Sequence, residues 1–509
     1  MPGTNGKPTW TVMVYISADS ILTNFAVESL KQLRDAANEN IVVAAQFGTP
    51  EQDAMCYIFD KKSRRKSLNS DGIKKYPLNP DDITDDPATL TRFINWAYRE
   101  CPKSDYYALV MWGHGPELLF EAPTGNDGGK RLYFTPTQLA LALKHADKRI
   151  DIIGFDACYM SMIEYANQLH GLAGSMVASQ REVPDLSFPY GTVISTLRDT
   201  ENPVECCKSI VDAYVASYQD YICDTSTGAE PVTLAVLNLA TVDTITRGIQ
   251  RLAQELMSPT LNKRARHAIY EARTEAEGFV GGLFVDICDF CDRLQGESGE
   301  IPQQLYAAAA ALSAAIRNNN PDTGCVLVNK AVRSSDCNGL SIYFPYLKDG
   351  DERDKVEQPL AKGAGGVLDG KGAGGVLDGK GAGGVLDGKA ILNAAAANVR
   401  YAVRRQLIND TETYYQDDNF KFKETGWYDF IAGVWSHILA KEEPDNLDVR
   451  YSAQQCVQNL LSSRTLPARG EERPSPSQGS QSKKSTKAGG VRSAPHLTIK
   501  PNGRLSQRF

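Results

Sequence analysis

The sequence predicts an α/β protein: a mostly parallel sheet flanked by helices, an α/β extension toward the C-terminus, and a tail without regular structure. Three observations predict it. Apolar runs of strand length alternate with stretches of helical rhythm through the first 240 residues. Two of these runs, Tyr106–Trp112 and Ile150–Phe155, are almost wholly apolar, as strands buried on both faces should be. After about Ser462 the composition turns to Ser, Pro, Gly, Lys and Arg, too polar to bury a core.

In chain order, Thr9–Ser17 reads as a strand. Ser20–Asn38 reads as a helix, with Leu22, Phe25, Leu30 and Leu33 in rhythm. Ile41–Phe47 and Met55–Phe59 are short strands, and Pro87 opens a helix through Trp96. Tyr106–Trp112 follows. Thr135 suits an N-cap and Pro136 a first helical position, so a helix runs from there to about Asp147. Ile150–Phe155 is the next strand, Met160–Leu169 a helix and Gly174–Ser179 a strand. Residues 9–200 thus form a first α/β core. Residues 201–345 form a second α/β part with strands at Val232–Leu237, Cys325–Asn329 and Leu340–Phe344. Residues 346–389 read as a flexible loop holding three identical nine-residue copies, Gly363–Lys371, Gly372–Lys380 and Gly381–Lys389. Four glycines in nine residues hold no regular element, whether the copies arose by duplication or by insertion. Residues 390–462 are helical, with a helix at Trp427–Leu439, and 463–509 are a disordered basic tail.

The chain of 509 residues carries a formal charge of −7. The tail from Arg464 holds +8, leaving −15 on the body, which argues against nucleic-acid binding by the folded part. No apolar run approaches the ~20 residues that span a bilayer. The polar start, Met1–Pro8, has no secretion signal, so the expected location is the cytoplasm. The eleven scattered cysteines suit reduced thiols.

Two strand ends carry chemistry. Tyr106–Trp112 runs into Gly113-His114-Gly115, and Ile150–Phe155 runs into Asp156-Ala157-Cys158. One helical crossover joins them, which puts His114 and Cys158 on the same sheet edge. A thiol beside an imidazole is the minimum for nucleophilic acyl transfer. A helix starting near Met160 would lend its free N–H groups to the sulfur. Alone, a buried cysteine is usually core. His145, His170, His267, His437 and His496 lack a comparable setting. Cys288 and Cys291 form a Cys-x-x-Cys pair, which suits redox or metal chemistry, but Phe284, Ile287, Cys288, Cys291 and Leu294 share a helical stripe and read as core.

Trp112-Gly-His-Gly115 and Asp156-Ala-Cys-Tyr-Met160 resemble the clostripain family of cysteine peptidases, in the caspase-like clan with legumains and gingipains. Trp10–Leu22, Val177–Glu182, Pro189-Tyr190, Gly339–Pro345 and Thr425–Tyr428 add to the resemblance, which covers about residues 9–440. One departure is Leu186-Ser187-Phe188, where the family has a Gly-Trp pair.

The resemblance implies a caspase-like sheet and a cysteine endopeptidase acting on proteins or peptides. Cys158 would be nucleophile and His114 acid and base, with the N–H groups of Gly115 and Cys158 as oxyanion donors. It ties Asp156 to a basic P1 side chain; bonding the local turn is the plainer role. Asp185 is a second acidic candidate for the P1 pocket, or a solvated loop residue. An acidic P1 preference would need a basic pocket, and only Arg181 offers itself. Self-cleavage at Lys130 or Arg131 is expected, in a polar glycine-rich stretch between the two catalytic segments. No metal site is read and no cofactor is required, although the family resemblance allows calcium. An upstream activator is a possible partner, as in bacterial defence systems that use caspase-like proteases. A catalytically silent scaffold is the alternative.

Overall fold

A computed structural model describes residues 9–18, 22–49, 52–70, 73–77, 86–115, 134–197, 202–223, 230–279, 282–334, 336–345, 419–435 and 438. Lys130, Arg131, the three repeats and the tail lie outside the described residues.

A nine-stranded sheet forms the centre. Its strands are β1 (Trp10–Ser17), β2 (Ile41–Thr49), β3 (Gln52–Phe59), β4 (Lys74–Pro77), β5 (Tyr106–Trp112), β6 (Ile150–Asp156), β7 (Ala173–Ala178), β8 (Val232–Asn238) and, later in the chain, β11 (Val326–Val332). Their order is β11-β8-β7-β6-β5-β1-β2-β3-β4. The five central strands, β7-β6-β5-β1-β2, are parallel to one another, and the outer strands run antiparallel to their neighbours. β8 and β11, drawn from residues 201–345, complete the same sheet.

The two-residue period of a strand divides β1 between two cores. Trp10, Val12, Val14 and Ile16 face α1 (Thr23–Ala36), α5 (Tyr190–Thr196) and α6 (Pro203–Cys223). Met13 and Tyr15 face α2 (Pro87–Glu100), α3 (Pro136–Lys144) and α4 (Ile163–Gln168). That second core continues through α7 (Val242–Leu256), α8 (Lys263–Glu275), α9 (Ile287–Gly296) and α10 (Gln303–Arg317). Thr135 caps α3 as expected: Gln138 N donates to its hydroxyl at 3.2 Å, and its own N–H reaches Gln138 Oε1 at 3.0 Å. Asp86 caps α2 by accepting from Ala88 N at 3.0 Å.

A three-stranded sheet of β9 (Gly278–Phe279), β10 (Phe284–Asp286) and β12 (Ser341–Tyr343) packs beside the second core. The end of β12 is held by three long buried side chains on successive carbonyls. Trp427 Nε1 donates to Tyr343 O at 2.7 Å, Arg273 Nε to Phe344 O at 2.7 Å, and Trp435 Nε1 to Pro345 O at 2.8 Å. Residues 419–435 are thereby docked on the core. At their start, Gln168 binds the Asn419 carbonyl and the Lys421 N–H.

Three expectations need correction. Met160–Leu169 is not one helix: residues 160–162 are extended, because Ser161 N donates to Ser179 O and Ser161 O accepts from Ser341 N, and α4 begins only at Ile163. Phe284 belongs to β10, so the stripe through Cys288 and Cys291 starts as strand. Of the helix expected over Trp427–Leu439, the described residues form a short α11 (Trp427–Phe430) continued by a π turn over Ile431–Trp435.

Candidate active site

In the parallel pair β5–β6, Trp112 stands opposite Asp156, and Gly113 N donates to Asp156 O at 3.3 Å. His114 and Cys158 therefore each lie two residues beyond a matched position, at the C-terminal edge where open α/β sheets build their sites. The approach is close. A Cβ placed on Gly115 would fall 1.8 Å from the Cys158 carbonyl oxygen, so only glycine allows this backbone contact. Both side chains line one cavity of about 480 Å³.

Cys158 is partly exposed, whereas eight of the ten described free cysteines are buried. Burial pushes the Cys337 thiol up to about 11 and the Cys101 and Cys325 thiols up to about 12, which keeps these three protonated and inert. The same holds for Cys288 and Cys291. Cys288 sits in the first turn of α9 directly after β10, the strand-to-helix setting of a redox motif, which the sequence did not reveal. Both are fully buried and both thiols are raised far above the ordinary value by that burial, so they serve as core.

The chain turns sharply after Cys158. Tyr159 adopts φ +57°, an uncommon conformation for a bulky residue. It is held by Tyr159 N donating to Arg181 O at 3.1 Å and by its hydroxyl donating to Glu182 Oε1 at 2.7 Å. The N–H beside the sulfur is not from a helix start. It is Val183 N, which donates to Cys158 Sγ at 3.3 Å. Sequence reasoning missed this donor, because a backbone amide leaves no trace in residue identity.

Asp156 is buried, 4% exposed, on the cavity wall. Its Oδ2 accepts from Ser187 Oγ, from Phe188 N at 3.1 Å and from the Tyr190 hydroxyl at 2.7 Å. Trp112 Nε1 donates to the same Ser187 hydroxyl at 2.7 Å. Burial pushes the Asp156 carboxyl up to about 6, against the downward pull of those three donors. Asp156 thus ties down the loop 187–190, the plainer of its expected roles, while Oδ1 takes none of these bonds. Asp185 is exposed on the same cavity, joined by Glu182 and by Glu230, which sequence reasoning did not single out. Leu22, Val183, Pro184 and Val232 supply apolar wall. Among the described lining residues four are carboxylates and none is Lys or Arg. Arg181 turns elsewhere: it pairs with Glu277, donates to Ser334 Oγ at 2.8 Å and stacks 5.6 Å from the Phe279 ring centre.

Among the described residues no group of three His, Cys, Asp or Glu could hold a metal ion. None of the described helices is long and apolar enough to cross a membrane.

No curated protein matches the chain. Among solved structures, it is similar to an inactive zymogen C11 protease from Parabacteroides distasonis, at 18% identity and TM-score 0.49, covering 70% of this chain and 96% of that one. It is also similar to a secreted C11 cysteine protease from Bacteroides thetaiotaomicron in complex with an irreversible peptide inhibitor, at 18% identity and TM-score 0.48, covering 70% and 99%. The model of the Clostripain family, peptidase C11, matches residues 14–351, about two thirds of the chain. The chain therefore belongs to the clostripain family of cysteine peptidases.

Proposed function

We propose that this cysteine peptidase cleaves proteins or peptides after Arg or Lys through a Cys158–His114 dyad. The observation that carries the reading is the cavity shared by both residues, whose described walls hold four carboxylates and no Lys or Arg. A basic side chain entering it would lay its methylenes on Val183, Pro184 and Val232 and bring its charge toward Asp156 and Asp185. Cys158 Sγ attacks the scissile carbonyl, and His114 gives a proton to the departing amine. A water that His114 deprotonates then releases the acyl group and restores the thiol. The Gly115 and Cys158 N–H groups serve the oxyanion. Self-cleavage after Lys130 or Arg131 belongs to the same reading.

The test uses fluorogenic peptides with Arg, Lys, Asp or Leu at P1. Wild type should turn over the Arg and Lys peptides, and Cys158→Ala and His114→Ala should lose activity by at least ~10³-fold. Asp156→Asn should raise KM for Arg peptides at least tenfold, as loss of one charged partner predicts. Turnover in Cys158→Ala, or a preference for Asp at P1, would sink the reading. New N-termini at 131 or 132 in wild type, absent from Cys158→Ala, would mark self-cleavage.

A further inference from the structure

Both backbone polar groups of Val183 lie on the Cys158 sulfur. As a thiol, Cys158 donates to Val183 O at 3.8 Å; as a thiolate, it would keep the N–H of Val183 at 3.3 Å. That N–H is worth more to the charged form, since hydrogen bonds to ions are the stronger ones. The contact depends on where the segment 179–183 lies, and its backbone is laced to the nucleophile turn: Tyr159 N donates to Arg181 O at 3.1 Å and Ser161 N to Ser179 O at 2.8 Å.

The far side of that segment is fixed by Gln180, 1% exposed. Gln180 Oε1 accepts from Gly339 N at 2.6 Å, and Nε2 donates to Asp286 Oδ2 at 2.9 Å. Asp286 is fully buried and receives four donors, two on each oxygen. Oδ2 takes Gln180 Nε2 and Asn338 N at 2.6 Å; Oδ1 takes Asp289 N at 2.9 Å and Asn338 Nδ2 at 3.0 Å. Such a site needs a carboxylate, because an amide would turn an N–H₂ toward two donors. Nothing in the peptidase reading uses this group, and it joins β10, α9 and the start of β12 to the segment that touches the sulfur.

We infer that Asp286 is a positioning residue for the Cys158 thiol, acting through Gln180 to hold the Val183 N–H on the sulfur. The inference rests on Cys158 being the nucleophile, and its readouts report the thiol itself, whether or not a peptide is cleaved.

The experiment follows iodoacetamide alkylation of Cys158 against pH in the full chain, read by mass spectrometry of the Cys158 peptide. In Asp286→Asn and in Gln180→Leu the rate at pH 6.5 should fall about tenfold, the loss of one hydrogen bond to an ion, and recover at high pH. Hydrolysis should lose kcat with KM little changed. Folded variants whose alkylation profile overlies the wild type, with only Tm lowered, would overturn the inference. If Asp286→Asn does not fold, Gln180→Leu decides, since it leaves Asp286 its other three donors. A third readout needs no variant. Glu182-Val183 is the one Glu-Val step in the chain, so carbonyl-labelled Glu with amide-labelled Val isolates a single resonance. That resonance should titrate with the midpoint of Cys158 alkylation, and a flat resonance would equally overturn the proposal.

Discussion

Glu164, on α4 six residues after Cys158, is 2% exposed. Its Oε1 accepts from Tyr343 N at 2.8 Å, while Oε2 is buried with no hydrogen-bond partner among the described residues. Burial pushes its carboxyl up to about 7, only partly opposed by the backbone bonds. The folded state thus binds the proton more tightly than the unfolded chain, whose value is near 4.5. The stability from this protonation is full below about 4.5 and lost as pH rises through about 7. Glu164→Gln, which stays neutral, should therefore match wild type in stability near pH 4 and exceed it at pH 8.5 by up to about 3 kcal/mol of unfolding free energy. Thermal melts across that range check it, and a Tm difference independent of pH would refute it. At this scale His114 and Cys158 were legible because flanking glycines and buried strands marked them. The Asp156 network was not, since Ser187, Phe188 and Tyr190 lie about thirty residues away and meet Asp156 only through the fold.

The element that sets the geometry of the candidate site is the matched end of β5 and β6. Gly115→Ala would drive a Cβ into the Cys158 carbonyl, so one of the two strand exits must move. A shift of about 1 Å in a reacting group costs on the order of 10²-fold in rate. The variant should lose about that in kcat/KM; activity within threefold of wild type would contradict the contact. The central strands were readable because double burial makes them continuous apolar runs. β4 was not: Lys74-Lys-Tyr-Pro77 is a short edge strand, and its lysines and proline suit an edge while hiding the strand. The extended stretch 160–162 was read as helix because its apolar residues fit either period, and pairing with Ser179 and Ser341 decided it.

At the scale of the whole molecule, Pro345 and Asn419, the two ends of the sequence stretch that holds the repeats, are bonded to the core by Trp435 and Gln168. Closing a loop between fixed points depends only weakly on its length. Deleting the three repeats, Gly363–Lys389, should change stability by only about 0.4 kcal/mol on that basis. The Tm should move by about 1 °C, and peptide turnover should persist. A drop of more than about 5 °C would mean that the repeats contribute packing of their own. The parallel centre of the sheet was legible from the strand–helix alternation. The placement of β8 and β11 beside β7 was not, because an antiparallel addition leaves no constraint on the length of its connection.

The clasp on Tyr343, Phe344 and Pro345 changes what a cut in this region would mean. Severing the chain anywhere between Pro345 and Asn419, at Lys371 for instance, breaks none of the three bonds made by Trp427, Arg273 and Trp435. It does turn a property of one molecule into an equilibrium between two. While the chain is whole, residues 419–435 sit on the core at a local concentration fixed by the tether. Once it is cut, the same docking depends on how much of each piece is present. Nicked protein would then fade on dilution where intact protein does not.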